Sequence, residues 1–284
     1  MHALLKKQLS ILPDRAHIRI YGSDSERFLE NILTAKIASL KCKEDMLYSL
    51  LLSPQGKLLF DFFIIRDDVD NFILEICDRY LNEIRLKLCQ YKMRSDVEIV
   101  IEENFKTIIC MSAGSVDHKE VLYLDPRSKE LGSRAIIHND MYSVNQDIID
   151  QYHATRISNN IAECGIDFGI GEFFPFALGM EKIGAISYNK GCYIGQEIIS
   201  RFKHKNSQYK SGIYQIKFNN VNNNIGALKD EVIMHDGNKI GIMLGTYMNL
   251  GLALLDHHKV QLIIEGGFSH RVEIGQCLAN LIIE

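Results

Sequence analysis

Along the first half of the chain, apolar positions recur at two alternating periods. His17 to Tyr21 has the alternation of a short strand. Ser23-x-x-Glu26 then has the spacing of a capping box, opening a helix with Phe28, Leu29 and Ile32 on one face. Leu47 to Leu52 and Leu58 to Ile65 predict two strands joined across the turn signal Ser53-Pro54-Gln55-Gly56. Phe72 to Cys77 is a further strand. A helix follows around Tyr80 to Gln90 with Leu81, Ile84 and Leu88 aligned, and Val97 to Ile101 and Lys106 to Met111 return to strands. Asp147 to Ile157 reads as helix. Residues 159–188 carry five glycines and one proline among many aromatics and read as an ordered loop. From Ser211 the period changes: Ile213 to Phe218, Val232 to Met234, Ile240 to Met248 and Val260 to Ile264 predict short strands spaced by Gly and Asn, as in a small β-barrel or sandwich. Asn219 to Asn224 reads as a solvated hairpin loop. The expected architecture is α+β over residues 1–207, followed by a β-barrel domain over 208–284, with no internal repeat.

Composition narrows the class. Of 284 residues, 46% are hydrophobic and 24% charged, enough apolar surface to offset the entropy of ordering, so a disordered chain is excluded. No stretch has the length of a membrane span, and the basic start Met1 to Lys7 lacks an apolar segment after it, so the expected location is the cytoplasm. A net charge of −4 differs from that of a globally basic nucleic-acid binder, leaving room only for a local basic patch. The seven cysteines, Cys42, Cys77, Cys89, Cys110, Cys164, Cys192 and Cys277, are odd in number and form no CxxC, against a disulfide framework and a zinc ribbon. Cys77 and Cys110 sit in apolar runs as small hydrophobes. Walker A, GxGxxG, HExxH and GxSxG patterns are absent. The adjacent His257 and His258 read as a surface turn rather than a metal pair.

One segment carries chemistry: Lys190-Gly191-Cys192-Tyr193-Ile194-Gly195-Gln196-Glu197, running on to Arg201. Gly191 has the freedom to take a positive φ or a close approach and to set Cys192 at a loop tip. Gly195-Gln196-Glu197 has the look of a helix start whose free N–H groups face the same spot. A thiol beside a lysine and near a helix N-terminus favours its thiolate form. The competing reading, an inward-packed cysteine in a plain turn, has equal weight on local chemistry alone.

This motif resembles the signature of the YgfZ family of folate-binding proteins, relatives of the glycine-cleavage T-protein, an aminomethyltransferase. The likeness extends along nearly the whole chain. Gly22 with Phe28-Leu29, the hairpin Leu51 to Lys57 with Asp61, Arg156-Ile157, Asp167-Phe168, Phe174-Pro175 and Gly184 to Ser187 all resemble family segments in the family's order. The resemblance implies a T-protein-like ring of three lobes with a C-terminal antiparallel β-barrel. It implies tetrahydrofolate or another reduced folate as cofactor, and a role in assembling, maintaining or repairing iron–sulfur enzymes. The partners would be client enzymes or cluster-assembly proteins, with no membrane and no direct nucleic-acid contact. Its functional thiol falls on Cys192, and the folate contacts it points to are Asp61, Asp167, Lys190, Tyr193, Gln196, Glu197 and Arg201.

The chemistry of folate sorts these residues. A pterin edge presents an amino group beside a ring N–H, which suits a carboxylate; Asp61, Asp167 and Glu197 are candidates. Tyr193 or Phe174 could stack on the ring, with burial in the core the stronger role for Phe174. Arg201, Lys203 and Lys205, with His204 among them, could hold the glutamate tail, or for the two lysines form a solvated face. Two departures stand out. T-proteins carry paired acids after the hairpin glycines, where this chain has Phe60-Asp61, which argues against acid–base work in aminomethyl transfer. Asn160 stands where relatives often have glycine, a change asparagine tolerates. A folate-dependent one-carbon transferase is the alternative reading, and a tRNA-modification protein a third, linked through iron–sulfur tRNA-modifying enzymes rather than RNA contact. One cysteine cannot supply four cluster ligands, so any cluster contact would be transient or shared with a partner.

Overall fold

Two sheets and a barrel build the chain, described in a computed structural model over residues 9–41, 45–111, 121–138, 142–204, 209–219, 228–266 and 270–283. Lys205, the side chain of His204 and Asn220 to Asn224 lie outside the described residues. The strands of the first half are β1 (Leu9–Leu12), β2 (Arg15–Tyr21), β3 (Met46–Leu52), β4 (Leu58–Asp68), β5 (Asn71–Cys77), β6 (Glu98–Ile101), β7 (Lys106–Cys110), β8 (Tyr123–Leu124) and β9 (Ser133–Ile137). They form a five-stranded sheet in the order β3-β4-β5-β2-β6 and a four-stranded sheet in the order β1-β7-β9-β8. The chain crosses between the sheets at β1–β2 and again at β6–β7, which fixes one against the other.

The long strand β4 is apolar on both faces because both are covered. Side chains alternate along a strand, so Phe60, Phe62 and Ile64 face one way, onto Ile18, Ile20, Phe72 and Leu74 and the helices α1 (Ser25–Ile32) and α2 (Leu81–Lys92). Phe63 and Ile65 face the other way, onto Tyr48, Leu50 and the 159–186 loop. That loop follows α3 (Gln146–Ser158) and leads to α4 (Gln196–His204).

The C-terminal part, from β10 onward, is a closed antiparallel barrel in the order β10-β13-β12-β11-β14-β15, with β10 and β15 paired to close it. Its strands are β10 (Ser211–Phe218), β11 (Val232–His235), β12 (Asn238–Tyr247), β13 (Leu250–Asp256), β14 (Arg271–Ile274) and β15 (Cys277–Ile282). Ile216, Phe218, Met243, Leu255, Val272 and Leu281 fill it.

Two local expectations are corrected. Ser23 and Glu26 form no capping box: the N-cap position is Asp24, Ser23 Oγ donates to Asp96 Oδ2 at 2.7 Å, and Glu26 accepts from Arg66 instead. Tertiary partners outbid the local pair. Val260 to Ile264 is not a strand but part of α5 (His257–Glu265). The Asp256 side chain accepts from Lys259 N at 3.1 Å as a helix cap, and Val260 and Ile263, three residues apart, share the face turned to the barrel core.

Candidate functional site

On the inner face of the five-stranded sheet, the same alternation that buries Phe63 and Ile65 also turns Asp61 inward, and places Arg15 and His17 on β2 beside Cys77 and Glu75 on β5. Helix α3 and the loop after it add Tyr152, His153, Arg156, Glu163 and Asp167, and β9 with its approach adds Asp125, Arg127 and Arg134. All of these are buried. Arg15 reaches Glu163 at 2.6 Å, Arg127 reaches Glu163 at 2.5 Å and Asp125 at 2.8 Å, Arg134 reaches Glu75 at 2.5 Å, and Arg156 reaches Asp167 at 2.5 Å. Tyr152 OH donates to Glu163 at 2.5 Å and accepts from Arg127 and Arg134. Four arginines are thus set against Glu75, Asp125, Glu163 and Asp167 in the heart of the molecule.

The electrostatics follow from that geometry. Burial would raise the Glu163 carboxyl, but Arg15, Arg127 and Arg156 hold it well below the usual range. Asp61 has no arginine at ion-pair distance: it accepts from Tyr48 OH at 2.7 Å and from Cys164 N at 3.3 Å, and burial pushes it up. Burial holds His17 at about 4, and burial with Arg156 beside it holds His153 at about 4. His153 Nδ1 accepts from Arg156 Nε at 3.1 Å, as a neutral ring must.

The eight residues singled out in the sequence fall in three places. Asp61 and Asp167 belong to the sealed interior; Asp167 takes Arg156 and Glu163 N, and β12 passes so close that a Cβ on Gly245 would lie 2.2 Å from its Oδ1. Lys190, Tyr193 and Gln196 anchor a loop. Lys190 is folded inward, Tyr193 is buried in the core, and Gln196 Oε1 accepts from Tyr193 N at 3.4 Å while Gln196 N donates back to Tyr193 O. Cys192, Glu197 and Arg201 are exposed, the last two forming a pair at 2.5 Å along α4. Lys203 pairs with Glu181 at 3.1 Å and lies over the Tyr188 ring, and half-buried Phe174 receives Lys57 over its face.

The glycine expectation is corrected here. Gly191 lacks a positive φ and has open space around it; the constrained position is Gly195, at φ +80°. A Cβ there would lie 2.7 Å from Ser53 O and 3.0 Å from Leu52 Cβ, and one on Gly56 would lie 2.9 Å from Ile198. The hairpin turn and the cysteine segment, two stretches about 140 residues apart, interlock through these two glycines. Phe60, where the resemblance led to an expected acid, points away from Asp61 into the helix-covered face. An acid at position 60 would not share the inner face, so its loss says little about chemistry beside Asp61.

A cavity of about 660 Å³ opens between the 159–183 loop, Tyr209 and the barrel. Phe176 and Tyr209 stack in its wall with centroids 5.0 Å apart, Glu181 and Lys182 supply charge, and His257, bonded through Nδ1 to Tyr214 OH at 2.6 Å, lies on Gly212. The buried Tyr209 hydroxyl has no hydrogen-bond partner among the described residues. His257 is the first residue of α5 rather than part of a loop, and among the described residues no three His, Cys, Asp or Glu side chains cluster as for a metal.

Sequence reasoning missed the arginine interior and this cavity. Glu75 within Phe72 to Cys77 and Arg134 within Ser133 to Ile137 were the available signal, charges at the inward phase of apolar strands. Nothing in the local pattern pointed to Tyr209 or His257.

No protein-family model matches the chain. It is similar to proteins named iron–sulfur cluster assembly factor IBA57: 24% identical over 275 residues to the Dictyostelium discoideum homologue, covering 81% of this chain and 67% of that one. The Homo sapiens protein is 23% identical over 278 residues, covering 88% and 78%. The Mycosarcoma maydis homologue is 25% identical over 217 residues, and the match spans only 54% of its length. A crystal structure of the glycine cleavage system aminomethyltransferase T from Bartonella henselae superposes with a TM-score of 0.69, covering 99% of this chain and 88% of that one at 14% identity. The fold is that of the T-protein with its C-terminal barrel, as the sequence resemblance implied. The cytoplasmic expectation is overturned: these relatives are named as mitochondrial proteins.

Proposed function

We propose that this chain is an accessory factor in iron–sulfur protein assembly, with Cys192 as its functional thiol and a reduced folate as its small-molecule ligand. The observation that carries the reading is an exposed cysteine on an anchored loop, in a fold whose named relatives are iron–sulfur cluster assembly factors. One thiol cannot hold a cluster alone, so the cluster is cargo contacted jointly with a partner that supplies the remaining ligands. No helix among the described residues is long and apolar enough to cross a membrane, and none is needed for this role.

The cavity beside the barrel suits a folate better than the sealed interior does. Asp61 Oδ2 takes Tyr48 OH and Cys164 N, both Asp167 oxygens take Arg156, and the two side chains are buried away from any ligand. In the cavity, the Phe176–Tyr209 wall offers a flat apolar face, Glu181, whose Oε1 already takes Tyr188 and Lys203, a second carboxylate oxygen for a pterin edge, and Lys182 a cation for a carboxylate tail. Bound there, a reduced folate supplies one-carbon or redox chemistry; the residues named bind and orient it. The test is anaerobic calorimetric titration of tetrahydrofolate into the wild type, Cys192→Ala and Tyr209→Ala, with maturation of an iron–sulfur client followed in parallel. Binding kept in Cys192→Ala and weakened in Tyr209→Ala, with maturation lost in Cys192→Ala, is the expected result. Absence of folate binding in the wild type removes the ligand, and full maturation by Cys192→Ala removes the thiol.

A further inference from the structure

A lysine two residues before a cysteine is expected to lend its charge to the thiolate. The structure turns it elsewhere. The Lys190 side chain is 0% exposed. Its Nζ donates to Leu33 O at 2.8 Å and Ala35 O at 2.6 Å, and stands 3.5 Å from Glu30 Oε1. The other Glu30 oxygen accepts from Ile37 N at 2.6 Å and Ala38 N at 3.4 Å, so the carboxylate is fixed as well. The Tyr193 ring lies 5.3 Å from the ammonium.

The segment receiving this lysine is itself tied down. Leu33 bridges to Leu51 beside β3, Thr34 N donates to Leu50 O, and Ala35 N donates to Ser49 Oγ at 2.9 Å. Thr34 also reaches across to the chain leading into the cysteine loop: its Oγ1 donates to Ala185 O at 2.6 Å, and its carbonyl accepts from Ser187 N at 3.0 Å. On the far side of Cys192, Gly195 is seated against the hairpin turn at Ser53. The exposed pair Gly191-Cys192 is therefore held from both ends by the N-terminal lobe.

We infer that Lys190 is a positioning residue: with Glu30 as its counter-charge, it pins the Cys192 loop to the Leu33–Ala35 crossing and so holds the thiol outward in one place for a macromolecular partner, rather than ionising it. The inference rests on the reading of Cys192 as the functional thiol, but its physical part is tested without any client or folate. An ammonium bonded to two carbonyls and a carboxylate has its three N–H donors occupied. Its removal frees the loop and leaves the thiol chemistry as it was.

The experiment compares the full-length wild type with Lys190→Met, Lys190→Arg and Glu30→Gln. Amide hydrogen exchange is read over residues 185–196, with Cys192 alkylation by iodoacetamide followed by peptide mass spectrometry across pH. In Lys190→Met, exchange over 185–196 and 33–38 rises by about tenfold or more while the barrel keeps its protection, as expected for local rather than global opening. The pH midpoint of Cys192 alkylation stays put. Glu30→Gln gives a smaller rise at the same amides, and Lys190→Arg, which can still donate to carbonyls, restores part of the protection. Client maturation falls in Lys190→Met in step with the loosening. An alkylation midpoint that moves up by about a unit in Lys190→Met makes the lysine an electrostatic activator and overturns the inference, as does unchanged loop exchange. Should Lys190→Met unfold, the milder Glu30→Gln decides by the same two readouts. Full maturation by Cys192→Ala would instead defeat the functional-thiol reading, leaving the strut to be judged on exchange alone.

Discussion

The sealed interior and the Cys192 loop use the same kinds of side chain to opposite ends. Inside, Arg15, Arg127, Arg134 and Arg156 are each matched to a carboxylate, although Arg15 Nε, Arg134 Nε and Glu75 Oε2 have no hydrogen-bond partner among the described residues. At the loop, one buried lysine and one carboxylate occupy each other so that their neighbour, the Cys192 side chain, can face solvent. Charge buried in pairs costs desolvation that the pairing offsets only when geometry is complete. The interior therefore serves as a keystone joining the two sheets, α3 and the barrel, while the loop serves presentation. Burial marks the first kind of site and exposure on a fixed base the second.

The comparison breaks most readily at Glu163. Glu163→Gln removes the carboxylate shared by Arg15, Arg127 and Tyr152, leaving buried cations uncompensated, and lowers unfolding stability by about 3–5 kcal/mol in urea titration. Replacing the exposed Cys192 at the loop has no such effect.

Acid tests the interior from another side. His17 and His153 are neutral in the fold at about 4 and near 6.5 when unfolded, so between those values the unfolded chain binds more protons. Their contribution is complete above pH 6.5 and is lost as the pH falls towards 4, on the order of 3 kcal/mol for His17. Glu163 and Asp125, held low by arginines against the burial that would raise them, lose their contribution further into acid. Stability measured by urea titration from pH 7.5 to 4 should fall across this window. His153→Gln, which keeps an acceptor for Arg156 Nε, should flatten the slope; an unchanged slope would remove His153 from the account.

Gly195→Ala sharpens the boundary between the two regions. At φ +80°, with its new Cβ pressed on Ser53 O and Leu52, the substitution costs about 1–3 kcal/mol by thermal unfolding and raises exchange in the cysteine loop, leaving the barrel unchanged. The smallest effect belongs to Cys192→Ala. Exposed and with no packing role, it should alter stability by less than about 0.5 kcal/mol while client maturation is lost, the reverse of what Glu163→Gln does to stability.

Much of the scaffold was legible locally. Short apolar runs bounded by turn signals placed β2, β4 and β5, the i, i+3, i+7 spacing of Leu81, Ile84 and Leu88 placed α2, and the Lys190 to Glu197 motif with its companions led to the T-protein fold. Val260 to Ile264 misled because five apolar-rich residues fit strand and helix alike until Asp256 is seen to cap them. β1, β8, β9, β13, β14 and β15 were not read from the sequence; β1, β8 and β14 run for only two to four residues, too few to establish a period. The sequence by itself determined which strands are apolar and where the charged and thiol side chains stand along the chain, since these depend on side-chain type and spacing along one segment. Only the tertiary structure decided where each charge goes. Lys190 is adjacent to the cysteine loop in sequence yet bonds to Leu33 and Ala35, and Gly195 rather than Gly191 is the constrained glycine. Those outcomes depend on which distant backbone comes within hydrogen-bond reach, and no local pattern encodes a distance between residues 155 positions apart.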